Sequence, residues 1–355
     1  MIQYLIRRLL QAIPTLLGIS IISFVLASFV PGGPLVQCRF NPKNPKEVCD
    51  LLEKQLGLDQ PVVAQYLRWL TGYGVRIGDM AQALTFGNTT CTYNASFNLT
   101  FCNDGGGGVL RGDLGISYDT NEPVWDRLVS RMPATLELGI TSLLLSLVVG
   151  VPLGILSAVY RGSIFDYITR GLTALAQSVP IFWICLLLIL VFSAMLGLLP
   201  SSGRSSPSLD NSIDLGDRIR HLILPSLALA FGGMAAFARL MRTEALEVIG
   251  QDYVRTAKAK GLSSNTVWFQ HALRNALIPL MTVLGPAIVG VLAGAVVTET
   301  IFAWPGMGRL TVNAVFQKDF PLVLGAGMFF ALLTIVGNLL SDIFYALVDP
   351  RVRLS

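Results

Sequence analysis

Asp252-Tyr-Val-Arg-Thr-Ala-Lys-Ala-Lys-Gly-Leu-Ser-Ser-Asn-Thr-Val-Trp-Phe-Gln-His-Ala-Leu-Arg-Asn-Ala-Leu-Ile-Pro279 is a polar, basic stretch set between two long apolar ones. Its order predicts two short helices with a corner between them. Asp252 gives the first turn a negative charge, and Arg255, Lys258 and Lys260 place positive charge toward the far end, as the helix dipole favours. Gly261 stands where a left-handed residue would end the first helix, and Ser263 or Ser264 can cap a second helix over about 265–277, which Pro279 stops. A glycine corner among small residues lets another surface approach the backbone, because no Cβ intervenes. The stretch therefore reads as a docking knuckle.

The composition around it is that of a membrane protein. Of 355 residues, 53% are apolar and only 14% charged, and the mean hydropathy is +0.61, outside the soluble globular range. Six apolar stretches, about 9–30, 134–159, 172–199, 222–241, 280–301 and 322–347, are each long enough to cross a hydrocarbon core of ~30 Å. The net charge of +4 is too small and dispersed for a nucleic-acid footprint, and no nucleic-acid partner is expected. Where the charges lie is informative. With a cytoplasmic N-terminus, Arg7, Arg8, Arg161, Arg170, Arg239, Arg242, the quoted stretch, Arg351 and Arg353 fall inside, and the short outer loops hold only Arg204, Arg218, Arg220, Arg309 and Lys318. The positive-inside rule then places both termini and the knuckle in the cytoplasm. The first apolar stretch has no small-residue cleavage site and is expected to remain as an anchor.

The chain divides into residues 1–30 (N-terminus and first span), an extracytoplasmic segment at 31–133, and a core at 134–355 that carries the loop at about 243–279. In the outer segment, Pro45 opens a helix ending at Gly57, and Asp59 caps another with Pro61 in its first turn. Thr71 to Leu110, with three Asn-x-Ser/Thr sequons and the Gly105–Gly108 run, reads as a loop or hairpin excursion. Four of the five cysteines lie in this segment. Cys38 and Cys49 are eleven positions apart, as are Cys91 and Cys102, and outside the cytoplasm such thiols oxidise. The expected pairs are Cys38–Cys49 and Cys91–Cys102; two other pairings are formally open. With no His and no Cys-x-x-Cys in the segment, metal binding is not expected.

No catalytic constellation emerges. A phosphate-cradling loop needs Gly followed by Lys, and no Gly-Lys dipeptide occurs. Nor do His221 and His271 supply a metal site or a nucleophile's base, since the topology puts them on opposite sides of the bilayer. Charges near the spans are the remaining candidates, because lipid burial is costly. Glu137, Glu299 and Asp342 read first as structural partners, and Glu299 alternatively as a carboxylate at an outer mouth. Span five repeats small residues (Gly285, Ala287, Gly290, Gly294), which permit close helix packing. Its alternative use is to line a passage together with Gln177 and Ser178, just before a kink at Pro180.

The quoted stretch resembles the cytoplasmic coupling loop of ABC importer permeases, in the form found in the dipeptide, oligopeptide and nickel branch, where Ala-Lys-Gly-Leu is followed by His-Ala-Leu-Arg-Asn-Ala-Leu-x-Pro. Against the general motif, Thr256, Ala257 and Gly261 fall on its Ala, Ala and Gly positions. Arg255 replaces its Glu, His271 its Ile and Arg274 its Pro, while Leu273 keeps the Leu. Gly112-Asp-Leu-Gly-Ile-Ser117, Arg131-Met-Pro-Ala-Thr-Leu-Glu-Leu138, Phe302-Ala-Trp-Pro-Gly-Met-Gly-Arg309, Asn338-Leu-Leu-Ser-Asp342 and Asp349-Pro-Arg351 resemble the same branch. The resemblance implies an all-α integral membrane fold of six helices of the type I importer kind; it stops at about 71–110 and around Cys38–Cys49, where the cysteine-containing extracytoplasmic segment between helices 1 and 2 is expected to carry insertions. It also implies a role as one transmembrane subunit of an ATP-driven importer of di- or oligopeptides in a bacterial or archaeal cytoplasmic membrane. The implied partners are a homologous permease, two ATPase subunits that carry ATP and Mg, and an external substrate-binding protein. Arg255, Thr256, Ala257, Lys260, Gly261, Leu262, His271, Leu273 and Arg274 would meet the ATPase. Nickel, glutathione or another small solute is the alternative cargo within the family. A self-sufficient secondary transporter would need internal repeats and midplane carboxylates, which are not found.

Overall fold

The computed structural model describes residues 2–29, 50, 58–77, 90–94, 99–103, 107–206, 214–263, 266–267, 272–293 and 295–348. Twelve α-helices are described within these limits. They are α1 (Ile2–Ser28), α2 (Val62–Thr71), α3 (Val124–Val159), α4 (Ile164–Ser178), α5 (Ile181–Leu188), α6 (Leu215–Ile249), α7 (Asp252–Ala259), α8 (Leu273–Ala276), α9 (Ile278–Ala293), α10 (Val296–Ile301), α11 (Met307–Gln317) and α12 (Phe320–Val348). Five helical stretches are long and apolar enough to cross a membrane, and a sixth span is reached if α4 and the helix from Ile181 to Met195 count as one.

That pair carries the kink expected at Pro180 in the third span, but as a sharp break, and its first half begins earlier than the apolar stretch over 172–199. The two halves meet at 105°. The break follows from Pro180, which lacks an N–H and forces Val179 into extended backbone (φ −84°, ψ 127°). Beyond α5, Ile189–Met195 is wound as a π-helix. The other spans outgrow their apolar stretches. α3 and α6 have 36 and 35 residues, or about 54 and 52 Å at 1.5 Å per residue, so both carry polar turns beyond any hydrocarbon. Asp214 caps α6, accepting from the Gly216 N–H at 2.9 Å, and Ser163 caps α4.

The chain forms two compact units. One comprises Met1–Arg8, Arg131–Leu310 and Leu333–Ser355, the other Leu9–Ser130 and Thr311–Leu332. In the first unit, Phe237 and Met241 of α6 are buried with Ala276 and Leu280, and Cys185 with Leu224, Ala228 and Phe302. Gly285 of α9 lies directly against Ser341 of α12, where any Cβ would collide; this is the close packing expected of small residues in lipid.

In the second unit, α2 leans on α1 through a Ser20–Tyr66 hydroxyl pair at 2.8 Å and rings of Phe24, Tyr66 and Trp69. Pro61 holds the cap position of α2 without a side-chain cap, so Asp59 does not cap it as expected. The excursion at 71–110 contains a three-stranded antiparallel sheet in the order β1-β3-β2, with β1 at Tyr73–Ile77, β2 at Thr90–Asn94 and β3 at Leu99–Asn103. The excursion expected as a loop or hairpin is thus a small sheet, set in a chain whose remaining described elements are helical as expected. The β2/β3 register sets Cys91 directly opposite Cys102. Cys38, Cys49 and the helix expected over 45–57 lie outside the described residues, apart from Asp50.

Candidate functional site: an exposed glycine corner and the loops around it

The corner forms as its residues dictate. α7 runs from Asp252 to Ala259, with Asp252 in its first turn. Gly261 then adopts φ 76°, the left-handed conformation in which a side chain costs about 1–2 kcal/mol. The Ser263 hydroxyl accepts from the Thr266 N–H at 3.3 Å, so the expected cap is present. One expectation is revised. Pro279 stands in the first turn of α9, at its second residue. It opens the next helix, because a first-turn N–H needs no partner.

Side-chain direction divides the motif. Val254 and Ala257 turn inward and are buried with Val267, so Ala257 supports the corner from beneath and has no face to offer a partner. Arg255, Thr256, Lys260, Gly261 and Leu262 are exposed, as is Arg274. Around the position a Cβ on Gly261 would occupy, nothing lies within 4 Å. Tyr253 is fastened to the far side of the loop by Asn275, whose Nδ2 donates to its hydroxyl at 2.8 Å. Arg255 reaches Asp252 at 3.8 Å, with both side chains largely in solvent, where such a pair contributes little. His271 lies outside the described residues; Leu273 is half-buried. The result is a convex, basic, backbone-exposing knuckle on a small apolar footing.

A second loop is built on the opposite principle. Glu299 of α10 is 0% exposed. Its Oε1 accepts from Thr135 Oγ1 at 2.8 Å and its Oε2 from the Arg309 N–H at 3.0 Å, so the carboxylate closes the start of α11, where negative charge is favoured. Thr135 Oγ1 in turn accepts from the Met307 N–H at 2.8 Å. The Trp304 indole N–H donates to the Ala134 carbonyl at 2.8 Å. Gly306 sits against the Glu299 carboxylate, leaving no room for any Cβ. Glu299 therefore belongs to the interior and not to an outer mouth, which corrects that reading.

Of the other passage candidates, Gln177, Ser178 and Gly290 are exposed, and Gly290 has nothing within 4 Å of its would-be Cβ. Gly294 lies outside the described residues.

Charged knots occur in both units; Glu137 is the structural partner the sequence suggested, whereas those at Asp166 and Asp319 escaped the sequence reading. Asp166, 1% exposed, takes Arg242 Nε and Nη2 at 2.7 and 2.9 Å and Ser157 Oγ at 2.6 Å. Glu137 receives Arg204 Nε at 2.9 Å and Arg218 Nε and Nη2 at 2.7 Å each. In the second unit, buried Asp319 accepts from Ser117 Oγ and from the Tyr118 N–H; burial and this carboxylate push the Tyr118 phenol up to about 12. The Asp319-Phe-Pro order, an N-cap signature ahead of α12, was the one available sign of that knot. Among the described residues no three His, Cys, Asp or Glu side chains gather as metal ligands would.

Comparison with known proteins places these loops in context. Residues 150–354 match the family described as binding-protein-dependent transport system inner membrane component, and residues 1–101 match the N-terminal region of binding-protein-dependent transport system membrane components. The dipeptide transport system permease protein DppB of Escherichia coli K12 is 38% identical over 99% of both chains. The oligopeptide transport system permease protein AppB of Bacillus subtilis is 38% identical over 99% of this chain and 100% of its own. Among solved structures, an inward-facing MetNI methionine ABC transporter chain aligns with a TM-score of 0.48 at 18% identity, covering 63% of this chain and 96% of its own.

Proposed function

Because the chain belongs to the family of binding-protein-dependent transport system inner membrane components, we propose that it is a transmembrane permease subunit of an ATP-driven importer for di- and oligopeptides. The observation that carries this reading is the full-length similarity to dipeptide and oligopeptide permeases, joined to an outward-facing corner in the stretch that resembles their coupling loop.

In this reading the chain supplies half of a passage and one docking contact. A homologous permease supplies the other half, two ATPase subunits bind nucleotide and Mg, and an external binding protein delivers the peptide. Both termini and the knuckle face the cytoplasm. Arg255, Thr256, Lys260, Gly261, Leu262 and Arg274 meet the ATPase, and Ala257 holds the corner's shape from below. When the ATPase pair closes, the knuckle moves with it, and the helices it is joined to, α6 and α9, carry that shift to the passage. Gln177, Ser178, Gly290 and Gly294 contribute to the passage wall.

Two disulfides, Cys91–Cys102 and Cys38–Cys49, staple the outer segment. The facing positions of Cys91 and Cys102 in β2 and β3 support the first pair, and closing such short loops stabilises by about 2–3 kcal/mol. Mass spectrometry of non-reduced peptides checks both; four free thiols would remove them.

The importer reading is tested by co-expressing the chain with its neighbouring permease and ATPase genes and purifying through a tag on it. Co-purification of two ATPases, with ATP turnover stimulated by binding protein and peptide, is the expected result. A lone chain that transports without ATP would overturn it.

A further inference from the structure

A groove runs between α4 and α6 in the first unit, and its chemistry is unlike that of a lipid-facing surface. Two adjoining cavities of about 480 and 410 Å³ lie along it, sharing Tyr167, Arg170 and Arg242. Together they are lined by four arginines, Arg161, Arg170, Arg239 and Arg242, and one carboxylate, Asp166. That carboxylate is already saturated by Arg242, Ser157 and the Gly162 N–H. Arg161, Arg170 and Arg239 have no ion-pair partner among the described residues and are exposed. Arg170 precedes the apolar stretch that begins at 172 and Arg239 stands near the end of the one over 222–241, both on the side to which the charge bias assigns the cytoplasm.

Helical spacing separates this groove from lipid. On α4, Ile164, Ile168, Leu172 and Leu175 form one exposed apolar stripe. Arg170, Gly171, Ala174, Gln177 and Ser178 form another exposed stripe about a third of a turn away. On α6, Gly232, Ala236, Arg239 and Thr243 repeat at the same spacing and are exposed too. Two neighbouring helices thus present small, polar and cationic residues to the groove, with the Tyr167 ring and Leu246 as its larger apolar lining and the Arg170 guanidinium 5.9 Å from the centre of the Tyr167 ring; the stripe on α4 leads from the arginines to Gln177 and Ser178.

We propose that this groove is an anion station at the inner end of the passage, where Arg170 and Arg239 bind the C-terminal carboxylate of a peptide leaving the importer. The station rests on the peptide-importer reading given above. A guanidinium matches a carboxylate in charge and fork geometry, and the exposure of Arg170 and Arg239 makes the contact reversible, as release requires. Arg242, held by Asp166, fixes the α4–α6 spacing on which the other two depend.

The test uses the purified importer, this chain with its partner subunits, in nucleotide-free phosphatidylcholine nanodiscs. Radiolabelled alanyl-alanine is compared with alanyl-alanine amide. The wild-type complex is expected to hold the free acid about tenfold more tightly. The R170Q/R239Q variant is expected to hold both equally at the amide's affinity, and R170K/R239K to regain part of the preference. An undiminished acid preference in R170Q/R239Q overturns the proposal, and so does an equal loss of both ligands. Repeating the wild-type measurement with phosphatidylglycerol identifies a lipid occupant: an acid preference abolished by that lipid makes its headgroup the natural ligand and overturns the peptide station. ATP-driven uptake of alanyl-alanine by wild-type proteoliposomes is scored separately. Its absence sinks the importer reading, whereas uptake with no acid preference sinks the station alone.

Discussion

The knuckle at Gly261 and the clamp at Glu299 both turn the chain between apolar helices, and both depend on glycine, for opposite reasons. Gly261 is needed for its backbone angle, φ 76°, and the space its missing side chain leaves is empty. Gly306 is needed for the volume it does not fill, because the Glu299 carboxylate already occupies it. One loop leaves its surface uncovered; the other turns its carboxylate, its indole N–H and the N–H groups of Met307 and Arg309 to partners within the chain. Substitutions at the two sites should therefore separate folding from assembly.

The largest effect is expected from Gly306→Ala. The added Cβ collides with a carboxylate that is wholly buried and breaks its hydrogen bonds to Thr135 and the Arg309 N–H, overpacking and lost hydrogen bonds together costing at least about 3 kcal/mol. Loss of the cooperative melt of the purified complex, or failure to accumulate, is the expected readout; an unchanged melting temperature would remove the clamp. Thr135→Val comes next. It deletes the donor to Glu299 and the acceptor for Met307 at nearly constant volume, costing about 2–3 kcal/mol, with assembly of whatever folds unaffected.

Gly261→Leu inverts that pattern. The backbone strain is about 1–2 kcal/mol and a Cβ there meets nothing within 4 Å, so the protein is expected to fold, which its melting temperature checks. ATPase co-purification and ATP-driven uptake should nonetheless fall at least about tenfold, which corresponds to 1.4 kcal/mol of lost contact. Gly261→Ala, with the same strain and a smaller side chain, should retain more of both, and normal uptake in the leucine variant would refute the docking role. The smallest effect belongs to Tyr253→Phe, which removes one exposed hydrogen bond to Asn275. A loss of about 0.5–1 kcal/mol is expected, with coupling lowered only modestly; a loss as large as that of Gly261→Leu would mean that the tie, not the corner, carries the contact.

The corner was legible because its signals are local. The acidic first turn at Asp252, the left-handed glycine and the Ser263 cap act within a few residues of one another, and each is where the sequence suggests. Pro180 likewise announced its break, although not the 105° between the two halves. The sheet at 73–103 was less visible: its strands are five residues each, among sequons and glycines that read as a loop or hairpin without its third strand.

What the sequence by itself determined is therefore the set of spans, their basic side, the corner and the family, since apolar length, charge bias and capping are properties of neighbouring residues. Only the tertiary structure decided what Glu299, Asp166 and Asp319 do and which face of α7 looks outward. Glu299 meets a threonine 164 residues away, Asp166 an arginine 76 away and Asp319 a serine 202 away. A carboxylate carries no mark of whether a distant donor will reach it. Only the packing of helices that brings the donor there settles whether the charge is buried and satisfied or left facing water.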